Sequence, residues 1–159
     1  MAFRVLDSSA FYAGIPFSSN EPSYITSLVY NEIEHIKKDH DAVQILIETK
    51  RLMISDPEHR FIITANNAAK KSGDFPNLSD EDISTIALSL QLKAELVTDD
   101  FAISNVAKNL SIKVIPVMTN GIKNVIIWKY YCPGCKTDFS KVTECPRCGN
   151  RLKRKPMKN

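Results

Sequence analysis

The four cysteines of the chain stand in two Cys-x-x-Cys pairs near its end. They are Cys132 and Cys135, then Cys145 and Cys148, with nine residues between the pairs. Two thiolates two residues apart can hold one side of a tetrahedral ion, and the second pair closes the other side. The spacing predicts a structural Zn²⁺ site with no open position, so reaction chemistry is expected elsewhere in the chain.

Two other interpretations of these cysteines are a pair of disulfides and a redox Cys-x-x-Cys. A redox motif needs only one pair and a thioredoxin-like setting. A segment this small cannot fold by apolar burial alone, and metal ligation would supply the missing free energy. We therefore expect zinc, held by thiolates in a reducing, cytosolic compartment.

Acidic residues follow two of the apolar runs in the sequence. Asp7 comes directly after residues 3–6, and Asp99 and Asp100 come directly after residues 95–98. In parallel α/β sheets, ligands bind outside the carboxyl ends of the strands. If both runs are strands of one sheet, these side chains point into one crevice.

Two further acids, Glu32 and Asp82, lie near the starts of expected helices. Carboxylates that converge repel one another unless cations neutralise them, and oxygen ligands suit Mg²⁺ or Mn²⁺. We expect these acids to gather within bonding reach of such an ion. Each also has a structural alternative, because Asp82 can complete a capping box, Asp99 can cap the next helix, Glu32 can be solvated and Asp7 can form a turn.

Apolar runs alternate with amphipathic stretches over residues 3–116, which predicts an α/β fold with a parallel, helix-covered sheet. Strands are expected at 3–6, 95–98 and 112–115, an extended piece at 61–63, and helices at 26–38, 41–53, 64–72, 80–92 and 101–109. Ser79 is a predicted helix cap, Gly73 a predicted helix end and residues 120–121 a predicted turn. We expect an α/β domain over 1–122, a Cys₄ zinc ribbon over 123–152 and a basic tail over 153–159.

Charge is divided unevenly along the chain. Residues 1–122 hold 11 Lys and Arg against 16 Asp and Glu, whereas residues 123–159 hold 10 against 2. Within this segment, the mostly basic tail over 151–158 is expected to be disordered when free, and its charge suits a polyanion such as RNA. No run approaches the roughly 18 apolar residues of a membrane span, and no signal-peptide pattern is present, so no membrane association is expected.

Four segments resemble, in order, the motifs of PIN-domain ribonucleases. They are an Asp-Ser after hydrophobic residues, a glutamate motif, an Asp ahead of an Ile-Ala helix, and Thr-x-Asp, found at residues 5–11 (VLDSSAF), 26–33 (TSLVYNEI), 78–89 (LSDEDISTIALS) and 96–101 (LVTDDF). This resemblance implies a PIN-like three-layer α/β/α fold and a divalent-metal-dependent endoribonuclease.

The resemblance also assigns roles to the acids. It implies that Asp7, Glu32 and Asp82 bind the metal. The Thr-x-Asp pattern selects Asp100 as the fourth acid, with the adjacent Asp99 as the alternative. The implied reaction is attack of a water on phosphorus, leaving 5′-phosphate and 3′-hydroxyl ends.

A PIN domain followed directly by a four-cysteine ribbon is a narrower pattern. It resembles the archaeal form of the ribosome-assembly endonucleases that trim the 3′ end of small-subunit ribosomal RNA, and residues 98–107 (TDDFAISNVA) are especially similar. The resemblance implies precursor small-subunit rRNA, within the small ribosomal subunit precursor, as the partner. It also implies that the four cysteines are zinc ligands.

Aromatic and basic residues are candidates for holding RNA. Trp128, Tyr130 and Tyr131 precede the first cysteine pair and are expected either to stack on unpaired bases or to pack the ribbon against the nuclease domain. The basic candidates lie around the cysteines and at one helix end: Lys136, Lys141, Arg147, Lys70 and Lys71. Ser8 either positions a metal or phosphate or serves as a turn hydroxyl.

Two other functions stay open at this point. A toxin-type PIN ribonuclease acting on tRNA or mRNA generally lacks a zinc ribbon, and a non-catalytic RNA-binding adaptor would lack the acids. The histidines His35, His40 and His59 lie among charged residues and are expected at the surface. Nothing therefore indicates the histidine pair of a metal-free ribonuclease.

Overall fold

The computed structural model describes residues 3–34, 40–118, 126–139 and 144–156. Its larger part is built on a parallel sheet of five short strands, in the order β3-β2-β1-β4-β5. These strands are β1 (Arg4–Leu6), β2 (Ser23–Ile25), β3 (Leu52–Ile54), β4 (Glu95–Val97) and β5 (Val114–Ile115).

Seven helices and one 3₁₀ turn join the strands within the described ranges. They are α1 (Ser8–Tyr12), α2 (Ile15–Ser18), α3 (Ser27–Glu34), α4 (His40–Glu48), α5 (His59–Ser72), the 3₁₀ turn Phe75–Asn77, α6 (Asp80–Leu92) and α7 (Phe101–Asn109).

Helices cover both faces of the sheet. Val5 and Leu96 enter one apolar core, shared with α5, α6 and α7. Their neighbours Leu6 and Val97 enter a second core, shared with α1, α3 and α4. Successive side chains of a strand point to opposite faces, so each central strand serves both cores. The predicted PIN-like three-layer α/β/α architecture is confirmed.

The order of strands reverses beside β1, which places a crevice there. The chain runs outward from β1 to β2 and β3, and then crosses to β4 and β5 on the other side. Strands β1 and β4 pair in parallel, with Leu6 opposite Val97. Their carboxyl ends are therefore neighbours, and such a reversal is where open α/β sheets bind ligands.

Local sequence signals set several helix ends. The Ser79 hydroxyl accepts a hydrogen bond from the Asp82 amide, and the Asp82 side chain accepts one from the Ser79 amide, which completes a capping box at the start of α6. Helix α5 ends at Gly73, whose φ of 83° is left-handed and easily adopted by glycine. Both predicted helix boundaries are confirmed.

Some expected elements are wrong. Residues 61–63 are not extended but lie in the first turns of α5, because Phe61 and Ile62 pack on the first core from a helix. The helix expected at 41–53 ends at Glu48, and Leu52–Ile54 forms β3. Three-residue strands are too short to show alternation, so β2 and β3 left no clear pattern.

The cysteine-rich end forms a separate antiparallel sheet, with strand order β7-β6-β8. Its strands are β6 (Trp128–Tyr131), β7 (Asp138–Phe139) and β8 (Lys153–Pro156). Residues 153–156 were expected to be disordered because of their charge, but backbone pairing with β6 orders them.

The turn expected at 120–121 and the side chain of Lys141 lie outside the described residues. None of the described helices has the length and apolar character needed to cross a membrane.

Candidate active site and metal centre

Asp7 is held rigidly at the carboxyl end of β1. It is 4% exposed and caps α1. Its Oδ1 accepts hydrogen bonds from the Ser9 hydroxyl (2.7 Å) and the Ala10 amide (2.9 Å). Its Oδ2 accepts a short hydrogen bond from the buried Thr98 hydroxyl, at the end of β4. The register of β1 on β4 thus fixes the orientation of this carboxylate.

Asp82 completes the capping box that its position in the sequence suggested. Its Oδ2 accepts the capping-box hydrogen bond from the Ser79 amide at 2.9 Å. Burial raises the pKa of this carboxyl above its usual value, and repulsion from Asp100 and Asp7 adds to the rise, while the bonds to Ser79 oppose it. Asp82 is therefore the capping-box partner of Ser79, and its carboxylate is also repelled by the two acids that follow the strands, Asp7 and Asp100.

Glu32 projects from α3 toward the same acids. Partial desolvation raises the pKa of its carboxyl, and repulsion from Glu81, Asp82 and Asp7 contributes further. A hydrogen bond from the Ser8 side chain acts in the opposite direction and lowers it. Ser8, expected to position a metal or phosphate or to serve as a turn hydroxyl, is thus a hydrogen-bond partner of Glu32.

Glu81 is an acid beside the crevice that the sequence reasoning missed, although its place in the first turn of α6 was visible in the sequence.

The two adjacent acids after β4 have different surroundings. Both oxygens of Asp99 accept backbone hydrogen bonds after β5, from Val117 (2.7 Å) and Met118 (2.8 Å). Asp100 instead caps α7, where its Oδ1 accepts from the Ile103 amide at 2.9 Å. Its charge raises the pKa of Asp82. The structure brings Asp100 to the crevice and ties Asp99 to the strand on its other side.

Four acids that feel one another's charge at the crevice are here called the acidic arc: Asp7, Glu32, Asp82 and Asp100. Across the described part of the chain, the four cysteines are the only group of three or more possible metal ligands whose donor atoms lie within 4.8 Å of one another. The acids are therefore farther apart than expected from sequence. Asp7, Asp82 and Asp100 are each tied by hydrogen bonds to the start of a helix. An open arc fits Mg²⁺ or Mn²⁺, since Mg²⁺ usually binds through one or two carboxylates, several waters and substrate phosphates.

The cysteines do form a cage. All four are free thiols. Their Sγ atoms approach to 3.4 Å for Cys132 and Cys148 and to 3.9 Å for Cys135 and Cys145. Zn–S bonds of about 2.3 Å in a tetrahedron place sulfurs roughly 3.8 Å apart, close to these distances. The arrangement fits a structural tetrahedral ion, and the distances are too long for disulfides.

Hydrogen bonds around the clustered thiols shift the pKa values of Cys135 and Cys145 in opposite directions. Hydrogen bonding to Cys148 and then to Cys145 raises the pKa of Cys135 to about 12. The backbone amide of Cys148 is the main cause that lowers the pKa of Cys145 to about 7. Groups this close cannot all ionise unless a cation joins them, which is the chemistry of a Cys₄ metal site.

The aromatic residues ahead of the cysteines pack mainly against the nuclease domain. Tyr130 is buried and donates a short hydrogen bond to the Gly73 carbonyl. Trp128 is half-buried, and Tyr131 lies on the outer side of the ribbon with the Lys155 ammonium 5.1 Å from its ring centre. The packing alternative therefore describes Trp128 and Tyr130. The other described candidates are exposed: Lys70, Lys71, Lys136, Arg147 and His59.

Comparison with known proteins identifies the family. Residues 5–92 match the family described as the PIN domain of ribonuclease. An endoribonuclease Nob1 from Pyrococcus abyssi is 33% identical over 157 residues, which cover 97% of this chain and 94% of the relative. The chain belongs to the Nob1 family of PIN-domain endoribonucleases. A Nob1 from Methanocaldococcus jannaschii is 37% identical over 163 residues, covering 100% of this chain and 80% of the relative.

Other similarities extend over less of the chain. A ribonuclease VapC1 from Thermoplasma acidophilum is 36% identical over 123 residues, which cover 77% of this chain and 63% of that protein. A PilT N-terminus domain protein from Sulfolobus solfataricus superposes with a TM-score of 0.50 at 20% identity, covering 72% of this chain and 87% of that protein. At this identity the second likeness shows the fold alone. The Nob1 relatives match nearly the whole chain, so the chain is an endoribonuclease, a hydrolase.

Proposed function

We propose that this endoribonuclease matures the 3′ end of precursor small-subunit ribosomal RNA on the precursor of the small ribosomal subunit. The observation that carries the proposal is that the Nob1 relatives match the nuclease and ribbon parts together, over 97% to 100% of the chain in two of them. The resemblance to ribosome-assembly endonucleases supports the substrate. The reducing cytoplasm, which keeps thiols free, is the proposed compartment.

Asp7, Asp82 and Asp100 are the proposed ligands of Mg²⁺ or Mn²⁺, and Glu32 completes the acidic arc. Their mutual repulsion supports this role, since a divalent cation removes it. Such an ion, when bound, would supply an activated water and neutralise charge on the phosphodiester. The four cysteines are the proposed ligands of a structural Zn²⁺.

The residues of the chain supply the geometry of this site. Thr98 holds Asp7 from the neighbouring strand, so the carboxylate cannot turn away when substrate approaches. Ser79 holds one oxygen of Asp82. Asp99 anchors residues 117–118 and so fixes the backbone beside Asp100. Attack of water on phosphorus with departure of the 3′ oxygen leaves 5′-phosphate and 3′-hydroxyl ends.

The two alternatives are less well supported. The ribonuclease VapC1 matches 77% of the chain, whereas the Nob1 relatives match nearly all of it. An adaptor without catalysis does not need acids at all four motif positions, and here Asp7 and Asp100 each repel Asp82 at one crevice.

Cleavage of defined RNAs tests the proposal. The protein is incubated with Mn²⁺ and either precursor small-subunit RNA that spans the mature 3′ end or transfer RNA. We expect cleavage at the mature 3′ end that Asp7→Asn abolishes and that Asp41→Asn leaves unchanged, because Asp41 is an exposed acid on α4. Cleavage of transfer RNA alone would support the toxin alternative. Binding without cleavage would support the adaptor.

A further inference from the structure

The pleat of the ribbon sheet separates its basic side chains into two groups. In β8, Arg154 pairs with Tyr130 of β6, whereas Lys155 pairs with Lys129 and Lys153 with Tyr131. Paired residues of adjacent strands share a face. Tyr130 is buried against the nuclease domain, so Arg154 lies on that inner face. Lys155 lies on the outer face, where its ammonium is 3.4 Å from the Asp138 carboxylate.

Arg154 covers an aromatic pair that begins beside Asp100. Its guanidinium lies 4.3 Å from the ring centre of Trp128. The Trp128 ring meets Phe101 edge-on, with ring centres 6.4 Å apart. Phe101 directly follows Asp100 and is 39% exposed although it is large and apolar. Phe101, Trp128 and Arg154 thus form a continuous aromatic and cationic surface, here called the stacking platform, next to the proposed metal ligands.

Hydrogen bonds fix the platform in position. The Asn105 side chain exchanges two hydrogen bonds with the backbone of Ile126, at 2.6 and 2.5 Å. The buried Asp74 carboxylate accepts a third hydrogen bond from the Asn105 side-chain amide at 2.6 Å. At Gly73, an added Cβ would lie 2.9 Å from the Trp128 Cβ. The platform therefore keeps one geometry relative to Asp100, which stacking on a single base requires.

The geometry points to the stacking platform as the site that holds one unpaired base of the RNA beside the bond to be cut. The base stacks on Phe101, and Arg154 neutralises the adjoining phosphate. Three features support an RNA occupant: an exposed aromatic ring, a guanidinium on the same surface, and the excess of cations over acids in residues 123–159. This inference rests on the proposed function, since it specifies how the same site receives single-stranded RNA.

Binding measurements on a non-cleaving background test the platform apart from cleavage. In Asp7→Asn protein, fluorescence anisotropy gives the Kd for single-stranded RNAs of the precursor 3′ end that carry one abasic nucleotide at successive positions. Loss of one stacked base is expected to weaken binding about 5- to 150-fold at one position next to the cleaved bond. Adding Phe101→Leu is expected to remove this difference at that position alone. The matched variant Phe17→Leu, which changes an aromatic ring of similar exposure (42%) on α2, is expected to keep it.

A second measurement tests Arg154. Arg154→Met is expected to reduce the slope of log Kd against log salt by about 0.7, the value for one phosphate contact with a single strand. Lys113→Met is the control, because Lys113 lies at the amino end of β5 and pairs with Glu95. The inference is overturned if no abasic position weakens binding, or if the abasic penalty survives in Phe101→Leu. Absence of cleavage by the protein with unmutated Asp7 would instead refute the proposed function and leave these binding results interpretable.

Discussion

Replacing Asn105 by alanine is expected to separate the ribbon from the nuclease domain. Asn105 is fully buried in α7 and bonds to both backbone groups of Ile126 and to the Asp74 carboxylate. Alanine removes all three bonds. It also leaves Asp74, itself fully buried, with the Ser72 hydroxyl at 2.7 Å as its main remaining partner.

The size of the effect follows from these bonds. The two bonds to Ile126 join neutral groups and are worth about 1 kcal/mol each, and the bond to a carboxylate is worth about 1.5 to 3 kcal/mol. The higher helix propensity of alanine returns about 0.5 kcal/mol. At pH 7 the free energy of unfolding is therefore expected to fall by about 3 to 4.5 kcal/mol.

Urea denaturation measures this loss, and hydrogen exchange locates it. The Ile126 amide is expected to exchange at least about 100-fold faster in Asn105→Ala than in the unmodified protein, while the amides of β1 and β4 stay protected. Asn67→Ala is the control, because Asn67 is exposed on α5 and its loss is expected to change stability by no more than about 0.5 kcal/mol. A loss below about 1 kcal/mol with unchanged Ile126 protection would refute the argument from buried hydrogen bonds.

Three further changes have defined expectations. Gly73→Ala is expected to lower the free energy of unfolding by about 2 kcal/mol or more, because the added Cβ would clash with Trp128. The control Gly14→Ala, at a φ of 79° with open space around it, is expected to cost only about 1 kcal/mol of backbone strain. Equal losses of the two variants in thermal unfolding would contradict this. Asp82→Asn keeps the capping acceptor and removes a carboxyl whose pKa is raised in the folded state. Its stability relative to the unmodified protein is therefore expected to increase as pH rises from about 4 to 7 in metal-free buffer, and a flat difference would be contrary evidence. Cys135→Ser is expected to lose the zinc that we propose the four thiols bind, as measured by native mass spectrometry. RNA binding is expected to weaken while the helical circular dichroism of the nuclease domain persists, and retained zinc and RNA affinity would exclude the ribbon from the account.

Features that depend on neighbouring residues could be predicted from sequence. The Ser79 capping box and the Gly73 helix end are set within a few residues, and both are present. The cysteine spacing similarly predicted a four-thiol cluster, and the structure contains one. In each case the determining atoms lie close along the chain, so no knowledge of tertiary packing was needed.

Features that depend on strand register could not be predicted in the same way. The bond from Thr98 to Asp7 joins residues 91 positions apart and exists only because Leu6 lies opposite Val97. The choice between Asp99 and Asp100 was open in the sequence, because the partners of Asp99 lie beyond β5. Helix α5 and strand β8 were misassigned for a related reason, since packing and pairing with distant residues override local propensity and charge.

Binding of Mn²⁺ tests the central claim, that the dispersed acids hold a divalent ion, most directly. The free ion is counted by electron paramagnetic resonance during titration of the zinc-loaded protein, of Asp7→Asn and Asp82→Asn, and of the control Asp41→Asn. The account predicts that both crevice variants weaken Mn²⁺ binding by about tenfold or more, equivalent to about 1.4 kcal/mol, while the control binds like the unmodified protein. Equal Mn²⁺ affinity in all four proteins would contradict it.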